Sequence, residues 1–428
     1  MLVLLSVVVG RLTGAGAAGE NVGPAEEYLE ASVSVPDRVA KHMARLSATG
    51  ELMAARHLEG GMIRFLRTGH PLPSELKGRS GGIMHVGSGR CWTQERTPEQ
   101  KSKDMLLVGL DPARLRQGSL DQMRKAGENG VYIVGFGPRE APQIADHVAL
   151  CDEFFDNGFG SDDRVAGLSA GGRAGRLGVV IDVLHAWALT AEHVAALTRE
   201  GKMPIMAKSF TWEDGREWWG HYYKKGEAFH GDIEVPPVKK GKLGSAYLER
   251  LRGLLAGLGE RETADIRRAA ELIVDQVEGG KKVAVSYVGH MPMHYVGQGA
   301  DEVWVKPFYM WYGGKPTIAK FRNYAAPDDV TFRLGYAGLH ENLSRLFVET
   351  DQRLILTSGE NIREKWQPPE ALRARVVVDI DMGWRMGDAC VELPGYPFKL
   401  FPPSGITQYA VYQAVSTGVL ERLGKTVE

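Results

Sequence analysis

Four short apolar runs constrain the fold more than any other feature of this chain: GGIMHVGSG (81–89), DMLLVGLD (104–111), GVYIVGFG (130–137) and DHVALCDEFF (146–155). They are near-continuous rather than alternating, the mark of strands buried on both faces. Several stop at glycine, the residue that lets a strand turn sharply into the next element. Between the second and third runs lies PARLRQGSLDQMRKAGEN, of helical length and polarity. Strands alternating with helices predict an α/β fold with a parallel sheet covered on both faces. Helical spacing of apolar residues precedes the runs, over 25–68, and a long helical pattern, GRAGRLGVVIDVLHAWALTAEHVAALTREG, follows them.

From residue 246 the order repeats. Helical AYLERLRGLLAGLG and ETADIRRAAELIVDQVEGG lead into KKVAVSYVGH. Later come RLILTSGEN (353–361), ARVVVDIDMG (374–383), DACVELPG (388–395) and the helical SGITQYAVYQAVSTGVLERLG (404–424). A period of roughly 200 residues is too long for a solenoid, and 428 residues can hold two or three domains with a core each. The expected fold is therefore two tandem doubly wound parallel-sheet domains of three layers, 24–205 and 246–428, the second with an insertion near 301–330. Duplicated domains often place a site near their mutual interface. Residues 206–245, with Trp212, Trp218, Trp219, Tyr222 and Tyr223 among charges and prolines, read as an aromatic linker. Its rings would serve packing, or would stack on a sugar.

A net charge of −1 argues against nucleic-acid binding, which leaves a basic excess or stripe. No stretch reaches the roughly 18–20 uninterrupted apolar residues of a membrane span. The three cysteines, Cys91, Cys151 and Cys390, are scattered and give neither a disulfide framework nor a metal-spaced cluster. No metal and no cofactor is called for. Residues 1–23 form a leader. Leu2–Val9 has the length of a signal-peptide core and Ala15-Gly16-Ala17 looks like a cleavage site, but Arg11 follows the apolar run instead of preceding it. A signal peptide and a disordered tail both fit. The balance leans to export, with a cytoplasmic location as the alternative.

The layout resembles the tandem sugar isomerase (SIS) domain family. VGSG (86–89) is similar to the family's first strand turn, LTSGEN (356–361) to its phosphate loop, and ADHVALCDE (145–153) and GDACVELPG (387–395) to its penultimate strand. The likeness covers residues 30–200 and 246–424. It implies five-stranded parallel sheets between helices and a phosphorylated sugar as ligand. There are departures. In the first half GLDPARLRQGS (109–119) puts Asp111 and Pro112 where the family has a hydroxyl-rich loop. A carboxylate repels phosphate and proline removes a donor, unless Ser119 with Arg114 or Arg116 compensates. In the second half SYVGHMP lacks the hydroxyl after glycine.

The candidate binding residues are Thr357, Ser358, Gly359 and Asn361, where two hydroxyls, a glycine and the first amides of a helix would converge on an anion. The alternative is that the hydroxyls only cap the following turn. Gly87 and Ser88 stand at a strand's C-terminal end, where open parallel sheets bind ligands. Ser169 in GLSAGGRAGRLG, with Gly171, Gly172 and Arg173, could form an anion nest. Aldose–ketose isomerisation needs a base that titrates near neutrality. Glu360, beside the proposed phosphate turn, and His290, after the second half's first strand, are the catalytic candidates. His185 and Glu192 on the long helix are alternatives, each with a purely structural reading. Three functions fit: a phosphosugar-binding protein acting as an isomerase of a hexose or amino-sugar phosphate, a non-catalytic sugar sensor with degenerate loops, and an exported carbohydrate-binding protein. Partial loops in each half also suit a homodimer with shared sites.

Overall fold

The computed structural model describes residues 22–88, 96–288, 290–309, 321–339, 341–359, 368–384 and 387–427. The leader through residue 21 lies outside them.

The first half opens with α1 (Pro24–Val33), α2 (Val35–Ala40) and α3 (Met43–Leu58). It continues through β1 (Ile63–Phe65), α4 (Leu72–Leu76), β2 (Gly87–Ser88), α5 (Pro98–Lys101), β3 (Met105–Gly109), α6 (Ser119–Glu128), β4 (Tyr132–Gly137), α7 (Ala145–Val148) and β5 (Glu153–Asp156). An antiparallel hairpin, β6 (Arg164–Gly167) and β7 (Arg173–Arg176), leads into the long α8 (Gly178–Arg199). After α9 (Gly215–Lys225), the second half runs α10 (Lys242–Arg261), α11 (Thr263–Glu278), β8 (Val283–Tyr287), β9 (Val305–Tyr309), β10 (Val330–Leu334), α12 (Glu341–Glu349), β11 (Arg353–Ser358), α13 (Glu370–Arg373), β12 (Val376–Asp381) and α14 (Ser404–Arg422).

Each half builds one parallel sheet. The orders are β2-β1-β3-β4-β5 and β9-β8-β10-β11-β12, the same order read along each half. Strand periodicity divides the apolar residues between two faces. On β3, Leu106 and Val108 meet Met123 and Ala126 of α6 on the outer side, while Met105 and Leu107 face inward. On β11, Leu354 and Leu356 face outward and Ile355 inward. The inner faces share one apolar core, from Phe65 and Leu107 through Trp187 of α8 and Tyr409 of α14 to Val285 and Ile355. By length and composition α8 could cross a membrane, yet its membrane-length window is wholly buried among the protein's own elements. Burying each Leu or Val there contributes about 1.5–3 kcal/mol, so α8 is the spine of the core.

Several boundaries differ from expectation. The first strand is Ile63–Phe65, inside a stretch whose spacing suggests helix. Three residues are too few to carry a period, and pairing to β3 decides them. The run at 81–89 contributes only Gly87 and Ser88 to the sheet, while Ile83 bridges to Met206 instead. Residues 145–148 are helical, and β5 begins at Glu153. Residues 388–395 form no strand of a sheet, only a bridge between Val391 and Leu400. Conversely, the stretch near 301–330 that reads as an insertion carries β9 and leads into β10. Thus β11, the LTSGEN strand, is fourth in its half rather than second.

Candidate functional site

In each sheet the strand order reverses beside the first strand, and such reversals open a crevice at the strands' C-terminal ends. In the first half this point lies between the loops after β1 and β3. The Thr68 hydroxyl donates to the Gly109 carbonyl, and the Arg116 amide donates to the Thr68 carbonyl at 2.7 Å. Gly69, at φ 107°, lies where an added Cβ would stand 1.9 Å from the Arg114 carbonyl oxygen, so only glycine lets the loops cross. His70 Nδ1 accepts the Leu72 amide at 3.2 Å, leaving Nε2 to donate to Asp182 Oδ2 at 3.3 Å. Asn157 donates to the same oxygen at 3.2 Å. Burial pushes the Asp182 carboxyl up to about 6, against these two partners.

Asp111 is the hub of this end of the sheet. Arg176 grips it with both terminal nitrogens, each at 3.1 Å, and its Nε bonds Asp163 Oδ1 at 2.7 Å. The Tyr295 hydroxyl, from the loop after β8, donates to Asp111 Oδ2 at 3.1 Å. Burial alone would raise the Asp111 carboxyl, but the Arg176 guanidinium overcomes it and holds the group below its ordinary value. The guanidiniums of Arg114 and Arg176 both lie over the Tyr295 ring, at 4.9 and 5.5 Å from its centre. Arg176 therefore serves two buried carboxylates, Asp111 and Asp163, and Arg114 on the Tyr295 ring brings a second cation to this end of the sheet.

Beside this clamp opens a cleft of about 380 Å³ lined by both halves, including Ala113, Asp163, Arg164, Arg176, Tyr295 and Gln413. Asp301 also borders it. Burial raises the Asp301 carboxyl, opposed by the Tyr412 hydroxyl and by the amides of Gly297 and Gly299 at 2.6 and 3.0 Å. Arg164 pairs with the more exposed Asp162 through two hydrogen bonds, Nε to Oδ1 at 2.8 Å and Nη2 to Oδ2 at 3.0 Å.

At the end of β11 the two hydroxyls are bonded within the sheet. Thr357 hydroxyl donates to the Gly335 carbonyl at 2.7 Å and accepts its amide at 2.9 Å, tying β11 to the end of β10. Ser358 hydroxyl donates to Asp379 Oδ1 at 2.7 Å, tying β11 to β12. Both side chains are buried, and Gly359 lies against Trp384. Glu360 and Asn361 lie outside the described residues. His290 sits at φ 64° and donates from Nδ1 to the Ser74 carbonyl at 3.3 Å, away from the cleft's lining. Gly87 pairs with Arg64 in β2, and Ser88 with Phe65, its side chain outside the described residues. Ser169 is taken up by the chain's own Glu421: its amide and hydroxyl both donate to that carboxylate. His185 bonds His42 at 2.8 Å. Glu192 accepts Ser47 and the amides of Gly241 and Gly244, at 2.6, 2.7 and 2.9 Å, anchoring the start of α10.

The structure thus brings together residues that the sequence scattered among different roles. Asp111 and Arg114 stand in a loop already marked as abnormal, which was the available signal. Arg176 lay hidden in an apparently helical run, and Tyr295 carries no local signal.

Fold and crevice together define a protein of two tandem doubly wound parallel-sheet domains. No family model and no curated protein matches the sequence. Among solved structures, the chain is similar to the C-terminal domain of glucosamine-fructose-6-phosphate aminotransferase from Francisella tularensis, at 10% identity over 94% of this chain and 97% of that one, with a TM-score of 0.51. A protein from Silicibacter pomeroyi DSS-3 assigned as a phosphosugar isomerase aligns at 8% identity over 94% and 99% of the two chains, with a TM-score of 0.47. At 10% identity the likeness to the Francisella domain is one of fold.

Proposed function

We propose that this protein binds a phosphorylated sugar in the cleft between its halves. The observation that carries the reading is the cleft itself: about 380 Å³, walled by the β6–β7 hairpin, the loop after β8 and α14, with Arg164 and Arg176 in its lining and Arg114 beside it on Tyr295. Guanidiniums match phosphate oxygens in fork geometry. Gln298, Gln413 and the carboxylates of Asp162 and Asp163 offer acceptors and donors for hydroxyls. A volume of this size suits a small ligand.

The reading favours binding over turnover. The described carboxylates bordering the cleft are engaged, Asp163 by Arg176 and the Gly178 amide, Asp301 by Tyr412 and two amides. A base for proton transfer would have to give up such partners. A sugar sensor fits these commitments better than an isomerase.

Hexose 6-phosphates and amino-sugar phosphates should raise the melting temperature while their unphosphorylated parents do not, since a ligand seen only by the folded chain stabilises it by about 2.7 kcal/mol at a hundredfold excess over Kd. No shift with any sugar phosphate would remove the reading. Loss of the shift in Ser358→Ala but not in Arg164→Ala would move the site to the β11 turn. Deuterium exchange at the sugar's second carbon in heavy water, followed by NMR, would establish turnover and overturn the sensor.

A further inference from the structure

Across the boundary from the cleft lies an ionic cluster sealed from solvent. Glu75 lies in the last turn of the short α4, and Arg79 follows the helix. Asp388 stands in the loop after β12, and Ser404 begins α14. Exposure is 0% for Glu75, 1% for Arg79 and Asp388 and 0% for Ser404. Arg79 Nη2 donates to Ser404 Oγ at 2.5 Å and to Asp388 Oδ2 at 3.2 Å, and lies 3.7 Å from Glu75 Oε1. Asp388 Oδ1 accepts the Ser404 amide at 3.3 Å. The Glu75 carboxyl lies against the first turn of α14 so closely that a Cβ on Gly405 would stand 2.3 Å from Oε1. Among the described residues neither Glu75 oxygen has a hydrogen-bond partner, and Arg79 Nε and Nη1 have none.

The charges do not balance. One guanidinium faces two carboxylates, and a net charge of −1 in a dry seam is costly. We propose that Glu75, Arg79 and Asp388 form a proton-dependent latch between the two halves, which holds while Glu75 is protonated and loosens when that proton leaves. The carboxylate left ionised is Asp388, which has both the guanidinium and a helix amide as partners. The proton belongs to Glu75, which has neither at hydrogen-bonding distance.

The other groups facing the cluster carry no charge that would correct the imbalance. His290, from the loop after β8, is held well below its ordinary value, first by burial and then by Arg79, so it stays neutral. Tyr247 of α10 is pushed well above its own, and the Cys390 thiol is pushed up by burial. Tyr336, after β10, also faces Arg79, and the Trp187 indole of α8 and the Met291 amide face Glu75 without good hydrogen-bond geometry. Burial pushes Glu75 up to about 7, against Arg79, and raises Asp388 as well.

The sign follows from linkage. A carboxyl held near 7 when folded and near 4.5 when unfolded stabilises the fold fully below pH 4.5, and this contribution is lost as pH rises to about 7. Glu75→Gln keeps the shape and fixes the neutral form. Its melting temperature should match wild type near pH 4.5, exceed it progressively towards pH 7 by several degrees, and hold that lead above. Asp388→Asn removes the surplus charge from the other half and should likewise flatten the dependence. In the wild type, hydrogen exchange at the first amides of α14 should accelerate as pH crosses 7 beyond the intrinsic rate, and in Glu75→Gln it should not. Carbon-13 NMR of the Glu75 carboxyl, identified by its loss in that variant, should report titration near 7 in unmodified protein. Full ionisation at pH 5, or parallel melting curves for wild type and both variants across pH 4.5–8.5, would overturn the latch.

Discussion

The N-termini of α8 and α14 use one device at two exposures. In each, an aspartate accepts the helix's first amide, at 3.0 Å for Asp163 on Gly178 and 3.3 Å for Asp388 on Ser404. In each, an arginine binds that aspartate and reaches a second carboxylate, Asp111 for Arg176 and Glu75 for Arg79. The Arg176 side chain is 26% exposed and borders the cleft, whereas Arg79 is sealed at 1%. Arg176 comes from β7 of its own half, while Arg79 crosses from the other half. The same chemistry therefore borders an open cleft where water enters, and joins the two halves in a dry seam where it does not. Dielectric surroundings make the difference, since an unmatched charge is cheap at a wet rim and costly in a dry seam.

The same substitution at both arginines tests this contrast most severely. Arg79→Met should cost about 3–5 kcal/mol in denaturant melts, because two carboxylates stay buried without their cation. Arg176→Met should cost less, about 1.5–3 kcal/mol, because water can reach Asp163 through the cleft. Equal losses would erase the distinction between wet and dry ends.

Acid should act on a different part of the molecule. His185 pairs with His42, and His193 with His57 at 3.1 Å, both across the α3–α8 contact. Burial holds His57 down to about 4 and His193 down to about 3, while His185 lies well below its ordinary 6.5. Such a group stays neutral when folded but takes a proton when unfolded. Its stabilisation is therefore complete above pH 6.5 and is lost as pH falls towards the folded value, by up to about 1.4 kcal/mol per pH unit and group. Hydrogen exchange should show α3 and α8 losing protection first on acidification. His193→Gln should flatten the slope, and an unchanged slope would assign acid sensitivity elsewhere.

Within the cleft, Arg176→Lys keeps the charge but loses the fork on Asp111, and should weaken sugar-phosphate binding about tenfold by calorimetry with a smaller loss in melting temperature. The smallest effect is expected at Ser169→Ala, which removes the hydroxyl's hydrogen bond to Glu421 and keeps the amide's, on an exposed turn. A change within about 1 kcal/mol is expected by chemical denaturation, and a larger one would make the β6–β7 hairpin a structural keystone.

Much of the architecture was legible in the sequence. Runs such as DMLLVGLD and GVYIVGFG state buried parallel strands because a strand covered on both faces cannot alternate, and the repeat of helices and strands after residue 246 states the duplication. The short strand Ile63–Phe65 was not legible, because three residues hold no period and only pairing identifies them. Thr357 and Ser358 were legible as small hydroxyl residues at a strand end, but not as ties whose hydroxyls Gly335 and Asp379 already occupy.

By itself the sequence determined where strands and helices alternate and that the chain contains two similar halves, because periodicity and turn chemistry act over a few residues. Only the tertiary structure decided which charged groups meet: Arg176 with Asp111, 65 positions away, and Arg79 with Asp388, 309 away. Whether a charge is matched, wet or stranded depends on what folds against it from distant parts of the chain, and local patterns carry no record of that.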